Sequence, residues 1–461
     1  MRPIISTLVL LCAIFSAGAQ MKKWTLEECV TYAVENNISI EQFELDLENA
    51  KIDRLDAIGA FLPDFNGSTS VSESTGLVLD PQTNLRVPGT ILSVSPSLST
   101  NVVLFDGLQN IQRLNRAKLN AIANQYRLDD LKDDIRLNVA NAYLQVLSNK
   151  ESLKVFRAQY AVTEQDLKRT KELVESGVSP RGDLLEIEAT AANQEQQIVN
   201  GESSVLISII NLAQLLQITD YENFDIAEES YDIPISDILK NSPKVIFDKA
   251  LTFRNDIKFS EYNVELAKKD LQISKGATYP TLSAFFQYNT FYSDQFELLT
   301  DEDGQTVIDP VTNLPVLFRT EFIDQLWQND GISYGFQLNV PVFNGWTTRN
   351  GIRRSKISVE QAKLQLEQDK LDLENTVNQA YVDVNTFYKA YVAAEKTLEA
   401  RRVAYQYAKD RFEVGLMNAF DFSQAQSRVD NAEADVIRTK YDYIFRLKIL
   451  EFYFGIPIAL N

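Results

Sequence analysis

The sequence predicts a mainly α-helical protein that also carries a small β-sheet, built as two copies of one structural plan. Three observations predict this. Two long stretches, 108–176 and 352–414, contain neither glycine nor proline. Runs of alternating apolar and polar residues precede each stretch, and this period-2 alternation is typical of half-buried strands. Short motifs then recur along the chain at constant spacings.

Glycines mark the duplication. Gly107 in VVLFDGLQN lies 238 positions before Gly345 in VPVFNGWTT, and Gly177 in ESGVSPRGD lies 238 positions before Gly415 in EVGLMNAFD. Upstream, FLPDF at 61–65 pairs with TYPTL at a spacing of 217, so the loop between the strands is 21 residues longer in the second copy. Repetition at fixed spacing indicates one supersecondary module used twice.

The two copies predict a definite order of elements, and each copy begins with a helix. In the first, Thr25 and Glu28 have the spacing of a capping box. A helix over 108–176 would extend roughly 100 Å at 1.5 Å per residue. The expected organisation is a signal peptide at 1–19; a first repeat at 20–219 with strands at about 62–73 and 91–105, a long helix at 108–176, a turn and a helix at 183–216; a linker at 220–242; and a second repeat at 243–461 with strands at about 280–292 and 331–343, a long helix at 346–414, a turn and a helix at 421–454.

The N-terminus predicts export. Arg2, an apolar run and the small residues Ala17-Gly18-Ala19 have the pattern of a cleaved signal. Cys12 lacks the small preceding residues of a lipid-anchored cysteine, so a lipoprotein is not favoured. Cys29 is then the one cysteine left, and we expect it on a buried helix face. No later run reaches the roughly 18–20 apolar residues of a spanning helix.

Composition disfavours several classes of protein. The chain has 45 basic and 64 acidic residues, a net charge of −19, which argues against nucleic acid as a partner. It has no histidine, the commonest general base and metal ligand. No nucleophile–base pair or metal motif stands out, so the sequence predicts no enzyme, no cofactor and no metal site.

The strand segments are the most specific signal. At 91–104 leucine and valine alternate with serine and asparagine, and at 332–342 aromatic and aliphatic residues alternate with small polar ones. An uncharged polar face opposite an apolar one favours a membrane barrel over a soluble sandwich. Four strands cannot close a barrel, because spanning barrels begin at eight strands, so the chain must oligomerise: a dimer gives a filled barrel and a trimer an open one. The alternative is a non-channel periplasmic coiled-coil protein with a structural or adhesive role.

The chain resembles the TolC family of outer-membrane efflux proteins through LFDG and VFNG, the turns ESGVSPRGDLLEIEA and EVGLMNAFDFSQAQS, and WTLEECVTYAVENN. The resemblance implies a homotrimer in the outer membrane, with a 12-stranded barrel in lipid on a 12-helix periplasmic tunnel. It also implies a periplasmic adaptor and an inner-membrane pump as partners. The implied function is a passive exit duct of a tripartite efflux or type I secretion system.

Candidate site residues follow from the turns and from this resemblance. Glycine after each long helix suits a left-handed C-cap, and the aspartate six residues later suits an N-cap. Family members often carry acidic residues at the positions of Asp421 and Gln424, where only Asp421 is acidic here, and some carry a basic residue at Met417. The candidates are Asp421, Gln424, Met417 and Asp183 for the periplasmic entrance or gate; Gly177, Val178, Gly415 and Leu416 at the tip turns for adaptor docking; and Phe105, Gly107, Phe343 and Gly345 at the strand-to-helix junctions.

Overall fold

The structure, a computed structural model, describes residues 22–79, 86–227, 237–301 and 305–456. The expected signal peptide and part of the expected linker lie outside the described residues. The described helices are α1 Leu26–Asn36, α2 Ile38–Gly59, α3 Gln109–Glu175, α4 Arg181–Leu215, α5 Pro243–Phe253, α6 Asn255–Gly276, α7 Phe322–Gln328, α8 Thr347–Glu413 and α9 Ala419–Tyr453.

The strands of the described residues fall into one larger sheet and two short pairs. The strands are β1 Lys23–Trp24, β2 Asn66–Leu79, β3 Arg86–Phe105, β4 Asp225–Ile226, β5 Thr281–Asn289, β6 Tyr292–Ser293, β7 Glu297–Leu298, β8 Leu317–Phe318 and β9 Gly331–Asn339. The larger sheet has the order β2-β3-β5-β9, and β6 also pairs with β3. The first hairpin is longer than the sequence indicated, and β5 and β9 are shorter.

The long helices α3 and α8 begin and end within one residue of the expected limits, because each lacks an internal glycine or proline break over most of its length. The capping box at α1 is confirmed. The Thr25 hydroxyl accepts a hydrogen bond from the Glu28 amide at 3.2 Å, and the Glu28 carboxylate accepts one from the Thr25 amide at 3.1 Å.

The first helix of each copy is broken into two, whereas the sequence predicts one helix at this point. The breaks fall at Asn37 and Arg254, which lie 217 positions apart and have extended ψ angles of 122° and 129°. Neither residue is glycine or proline, so local propensity gave no warning. Side chains accept from backbone amides just after each break: Asn37 accepts from the Ser39 amide at 2.9 Å, and the Asp256 carboxylate accepts from the Ile257 amide at 2.8 Å.

One compact unit is helical and contains the described residues up to Leu47, the segment Ala123–Glu261 and those from Leu364 onward. Its two main apolar cores contain equivalent residues of the two copies. Cys29 is fully buried in the first core, as expected. The same spacings of 217 and 238 that relate the motifs relate the core positions Cys29 to Ile246, Ala33 to Ala250, Val139 to Val377, Val146 to Val384 and Leu212 to Leu450.

The second compact unit contains Glu48–Ile122 and Tyr262–Lys363, and its centre is the antiparallel sheet. Leu98 is paired with Tyr288, which is paired with Ile332, so these three apolar side chains share one face. Ser97 is paired with Ser68 and with Asn289 on the other face. The register therefore confirms the expected separation of an apolar face from a hydroxyl- and amide-rich one.

One described helix, α4, is long and apolar enough to span a membrane by length and composition, with a mean hydropathy of 1.3 over its most apolar window. This run departs from the expectation that no segment after the N-terminus is apolar enough to span. Ser208, Leu212 and Ala213 of this helix are buried, and Leu212 and Ala213 belong to the first core of the helical unit. A helix that contributes to a core passes the same test, so its composition alone does not indicate a spanning segment.

Candidate functional site

The end of each long helix has the same hydrogen-bonded geometry. After α3, the Gly177 amide donates to the carbonyl of Val174 at 3.0 Å and the Val178 amide donates to that of Leu173 at 2.8 Å. After α8, the Gly415 and Leu416 amides make the equivalent bonds to Phe412 and Arg411 at 3.1 and 2.8 Å. Both glycines have left-handed backbones, with φ of 78° and 74°. These are Schellman C-caps, as the glycine positions predicted.

The expected N-caps at Asp183 and Asp421 are wrong. Helix α4 follows Pro180, which makes no side-chain cap, and α9 follows Asn418. Each aspartate therefore lies at the third helical position. There its negative charge still favours the helix N-terminus. The N-cap of α9 at Asn418 could have been predicted from the sequence, because asparagine three residues before an acidic residue has the spacing of a capping box.

Asn418 and Asp421 are joined by two hydrogen bonds at the start of α9. The Asn418 side-chain oxygen accepts from the Asp421 amide at 2.7 Å, and the Asn418 side-chain nitrogen donates to the Asp421 carboxylate at 3.0 Å. Asp421 and Gln424 are both exposed, and the Gln424 side-chain oxygen accepts from Arg428 at 3.0 Å. The carboxylate of Asp421 thus remains accessible to ions and to solvent.

The structure brings the two tip turns together around one cleft of about 380 Å³. Val178 and Asp183 line it from the first turn, and Leu416 and Met417 line it from the second. Gln424 is not part of this cleft and lines a separate groove between α4 and α9. Five of the sequence-derived gate and tip candidates therefore lie around one cleft: Val178 and Asp183 from the first copy, and Gly415, Leu416 and Met417 from the second.

Charged side chains connect the turns across the cleft. Arg169 of α3 forms an ion pair with Glu413 of α8 at 3.2 Å. Burial raises the pKa of Asp166 in the cleft wall, although Lys409 and Arg169 oppose this. The cleft is therefore a charged site in which one carboxylate is poorly solvated.

Apolar side chains project from the same turns into solvent. Val178 is 71% exposed and Leu416 is 70% exposed. Phe422 is buried beneath the second turn, where its ring stacks on that of Phe412 at a centroid distance of 4.6 Å. A rigid turn with exposed apolar side chains is a suitable contact surface for another protein.

Buried polar contacts next to the turns were missed by the sequence analysis. The Thr190 and Ser423 hydroxyls are 2.6 Å apart, and Gln194 donates to Asp430 at 2.8 Å, both between α4 and α9. Burial raises the pKa of Asp430 to about 6, while the Gln194 hydrogen bond lowers it. No sequence motif identifies such contacts. The one indication in the sequence is a polar residue at a helix position where the helical periodicity predicts an apolar one.

The strand-to-helix junctions form a second repeated feature, within the sheet unit. Gly107 and Leu108 have φ of 71° and 68°, and Gly345 and Trp346 have φ of 62° and 69°. The preceding polar residue of each motif bonds to the helix start: Asp106 accepts from the Asn110 amide at 2.7 Å. The motifs LFDG and VFNG therefore encode a two-residue left-handed step followed by a helix cap. Phe105 and Phe343, which precede the step, are 41% and 74% exposed.

The two junctions differ in their surroundings. A Cβ atom on Gly107 would lie 2.3 Å from the Gly276 carbonyl oxygen, whereas one on Gly345 would meet nothing within 4 Å. Only glycine fits at Gly107 for steric reasons, and at both positions glycine relieves the cost of the left-handed backbone.

Comparison with known proteins identifies the family. The sequence profile of the outer membrane efflux protein family matches residues 30–216 and 246–455. The outer membrane efflux protein BepC of Brucella suis is 18% identical over 447 residues, covering 96% of this chain and 88% of that protein. The alkaline protease secretion protein AprF of Pseudomonas aeruginosa is 19% identical over 360 residues, covering 78% and 69%. The crystal structure of the Campylobacter jejuni CmeC outer membrane channel matches with a TM-score of 0.76 and 17% identity, over 93% of this chain and 85% of that one.

The matched ranges take in both copies of the plan, both long helices and both tip turns. Channels of this family are trimers that lie in the outer membrane with a helical periplasmic portion, work with efflux pumps and catalyse no reaction. This chain belongs to the outer membrane efflux protein family.

Proposed function

We propose that three copies of this chain form one passive exit duct, which receives cargo from a periplasmic adaptor and an inner-membrane pump and releases it outside the cell. The duct would serve a tripartite efflux pump or a type I secretion system; the names of BepC and AprF state efflux and alkaline protease secretion. Permeation needs no nucleophile, metal or cofactor.

The observation that carries the proposal is the open sheet with an apolar face. Strands β2 and β9 are its edges. On β9 the apolar side chains Tyr334 and Phe336 are 79% and 74% exposed. Each would gain about 1.5–3 kcal/mol on leaving water. Contact with lipid would remove the apolar side chains of that face from water. Edge strands of neighbouring copies would pair with β2 and β9, because unpaired backbone groups do not occur in the hydrocarbon region.

The number of copies follows from the width of the sheet. Two copies would supply 8 strands, whose interior the side chains fill, whereas three supply 12 and leave a lumen. The polar face that would line this lumen carries Ser68, Ser95 and Ser97 around a cavity. These side chains are small and uncharged, which is compatible with a passage for varied solutes.

We assign the periplasmic entrance to the tip turns. Each long helix has 67 residues and ends at its tip turn. Around a threefold axis, three exposed Asp421 carboxylates would repel one another and attract cations. We propose Asp421 as the main gate charge, with Asp183, Met417 and Gln424 as its neighbours at the entrance.

We assign adaptor docking to the exposed apolar side chains of the same turns. Val178 and Leu416 offer exposed apolar side chains on C-caps that Gly177 and Gly415 keep rigid. An adaptor that binds both turns of a subunit would act on α3–α4 and α8–α9 together, and so would spread the entrance without any energy source in this chain.

The decisive experiment is planar-bilayer recording on detergent-purified protein whose mass is measured by light scattering. A trimer that inserts and conducts cations supports the duct. Protein that is monomeric and stays in solution without detergent would overturn it and favour the non-channel alternative.

A further inference from the structure

The pairing of the four strands defines a line across the sheet. Ser68 is paired with Ser97, Ser97 with Asn289, and Asn289 with Gly331. Gly331 on one edge strand is therefore level with Ser68 on the other edge strand of the same chain. If neighbouring copies continued this line without a shift, only Gly331–Ser333 of β9 would meet β2, which begins at Asn66. A closed ring therefore requires each copy to be shifted along its neighbour.

The alternation of the two faces restricts this shift to even numbers. The polar face carries the even-numbered residues Ser68, Ser70 and Ser72 on β2 and the odd-numbered residues Ser333 and Gln337 on β9. A shift of an odd number of residues would turn serines toward lipid and aromatic residues toward the lumen.

Complete pairing of β9 sets a lower limit on the shift. Strand β9 has nine residues and β2 has fourteen. A shift of six places Gly331 opposite Ser74 and Asn339 opposite Asn66, so every residue of β9 is paired. A shift of four would leave the last two residues of β9 beyond the start of β2. Unpaired backbone within lipid is excluded.

The tilt of the strands in the barrel sets an upper limit on the shift. One copy is four strands wide, about 19 Å at 4.8 Å per strand, and six residues span about 20 Å at 3.3 Å per residue. The ratio gives a tilt of about 45°, at the upper end of the 35–45° seen in membrane barrels. A shift of eight would require roughly 54°, outside that range.

The position of Glu73 independently supports a shift of six residues. It is paired with Leu92, so it lies on the apolar face. Gly67, Thr69 and Val71 precede it on that face, and a charged residue there marks the outer limit of the lipid layer. With a shift of six, the paired part of β2 ends at Ser74, one residue beyond Glu73. The five unpaired residues that remain lie outside lipid, where water satisfies their backbone groups.

We infer that β9 of one copy pairs antiparallel with β2 of the next copy in a single register, with Gly331 opposite Ser74, Ser333 opposite Ser72 and Asn339 opposite Asn66. This register rests on the proposed trimeric barrel and specifies its subunit seam. It gives the ring a total shift of about 18 residues for 12 strands.

Disulfide cross-linking in the purified, detergent-solubilised trimer tests the register. Directly opposed Cα atoms lie about 4.5–5.5 Å apart, within disulfide range, whereas pairs displaced by two residues lie beyond the roughly 7 Å limit. Two matched variants, S72C/S333C and V71C/Y334C, include one pair of each hydrogen-bonding type. The shifted controls S70C/S333C and S74C/S333C use the same partner position. Cys29 stays in place, because burial raises the pKa of its thiol to about 12.

At least one matched variant should give covalent dimers and trimers on non-reducing gels at ten or more times the yield of either shifted control, and single-cysteine variants should give none. Equal or better cross-linking of a shifted control overturns the register while the trimeric duct stands. A trimer in which no pair cross-links also overturns the register. A monomeric protein overturns the proposed function itself.

Discussion

Asn418 and Asp421 hold each other at the start of α9: the asparagine side chain both accepts from the Asp421 amide at 2.7 Å and donates to the Asp421 carboxylate at 3.0 Å. The cap fixes the direction of a carboxylate that is nevertheless exposed. Charge and geometry at this turn are therefore separable, since Asp421 provides the charge and Asn418 provides much of the geometry.

Asp421→Ala should lower the cation conductance of the channel several-fold and reduce its preference for cations, because three cation-attracting carboxylates disappear from the entrance. Single-channel recording with a salt gradient measures both effects. Asn418→Ala is the matched control: it loses the cap, at a cost of about 1 kcal/mol, and keeps the charge. If both variants change conductance equally, turn geometry and not charge controls the entrance.

Gly177→Ala and Gly415→Ala should each destabilise the helical unit by about 1–2 kcal/mol, because alanine disfavours the left-handed backbone. Gly182 lies in the first turn of α4 with an ordinary φ and open space around a Cβ. Gly182→Ala should be neutral or slightly stabilising. Thermal unfolding followed by circular dichroism compares the three variants, and a Gly182→Ala loss as large as the others would contradict the Schellman interpretation.

Gly107→Ala and Gly345→Ala separate backbone strain from steric exclusion. Both positions have positive φ, but only a Cβ on Gly107 would meet the Gly276 carbonyl oxygen, at 2.3 Å. Gly345→Ala should lose about 1–2 kcal/mol, whereas Gly107→Ala should greatly lower the yield of folded trimer. Trimer yield after outer-membrane extraction is the measurement, and equal yields would show that the first junction adjusts its backbone.

Asp430→Asn should stabilise the helical unit at neutral pH. Burial raises the pKa of Asp430 to about 6, above the usual value near 4. The native state therefore binds the proton more tightly than the unfolded chain, and stability falls as pH rises from about 4 through 6. Removal of this charge should gain about 1–2 kcal/mol at pH 7 after solvent screening and flatten that part of the profile. Urea unfolding at pH 4.5 and 7 tests it; a wild-type protein that gains stability over this interval relative to Asp430→Asn would refute the assignment.

Val178→Asp combined with Leu416→Asp should weaken adaptor binding at least tenfold, because the change places charge on two exposed apolar side chains of the tip turns. Ser176→Asp is the control, since Ser176 is exposed in the same turn and the change adds charge without removing an apolar contact. Pull-down of a cognate periplasmic adaptor by the purified trimer measures binding. Equal loss in the control would indicate general charge repulsion.

Much of the fold follows from local rules that act within a few residues. Absence of glycine and proline predicted α3 to within one residue at each end, the spacing of the two copies gave equally close limits for α8 despite Gly351, and Gly177 and Gly415 predicted the C-caps. The helix breaks at Asn37 and Arg254 were not predictable in this way, because they depend on what packs against them. The N-caps were misplaced for a different reason: Asp183 and Asp421 are good caps, but Pro180 and Asn418 precede them in suitable positions.

The sequence by itself determined the duplication, the two faces of the sheet and the need for more than one chain, because periodicity, motif spacing and strand number are properties of the sequence. Tertiary structure decided which residues meet. It placed Asp183 and Met417 at one cleft and Gln424 at another, and it paired Thr190 with Ser423. It also set Gly331 level with Ser68. Such relations depend on contacts between residues far apart in the chain, and no local pattern encodes the register of one element against another.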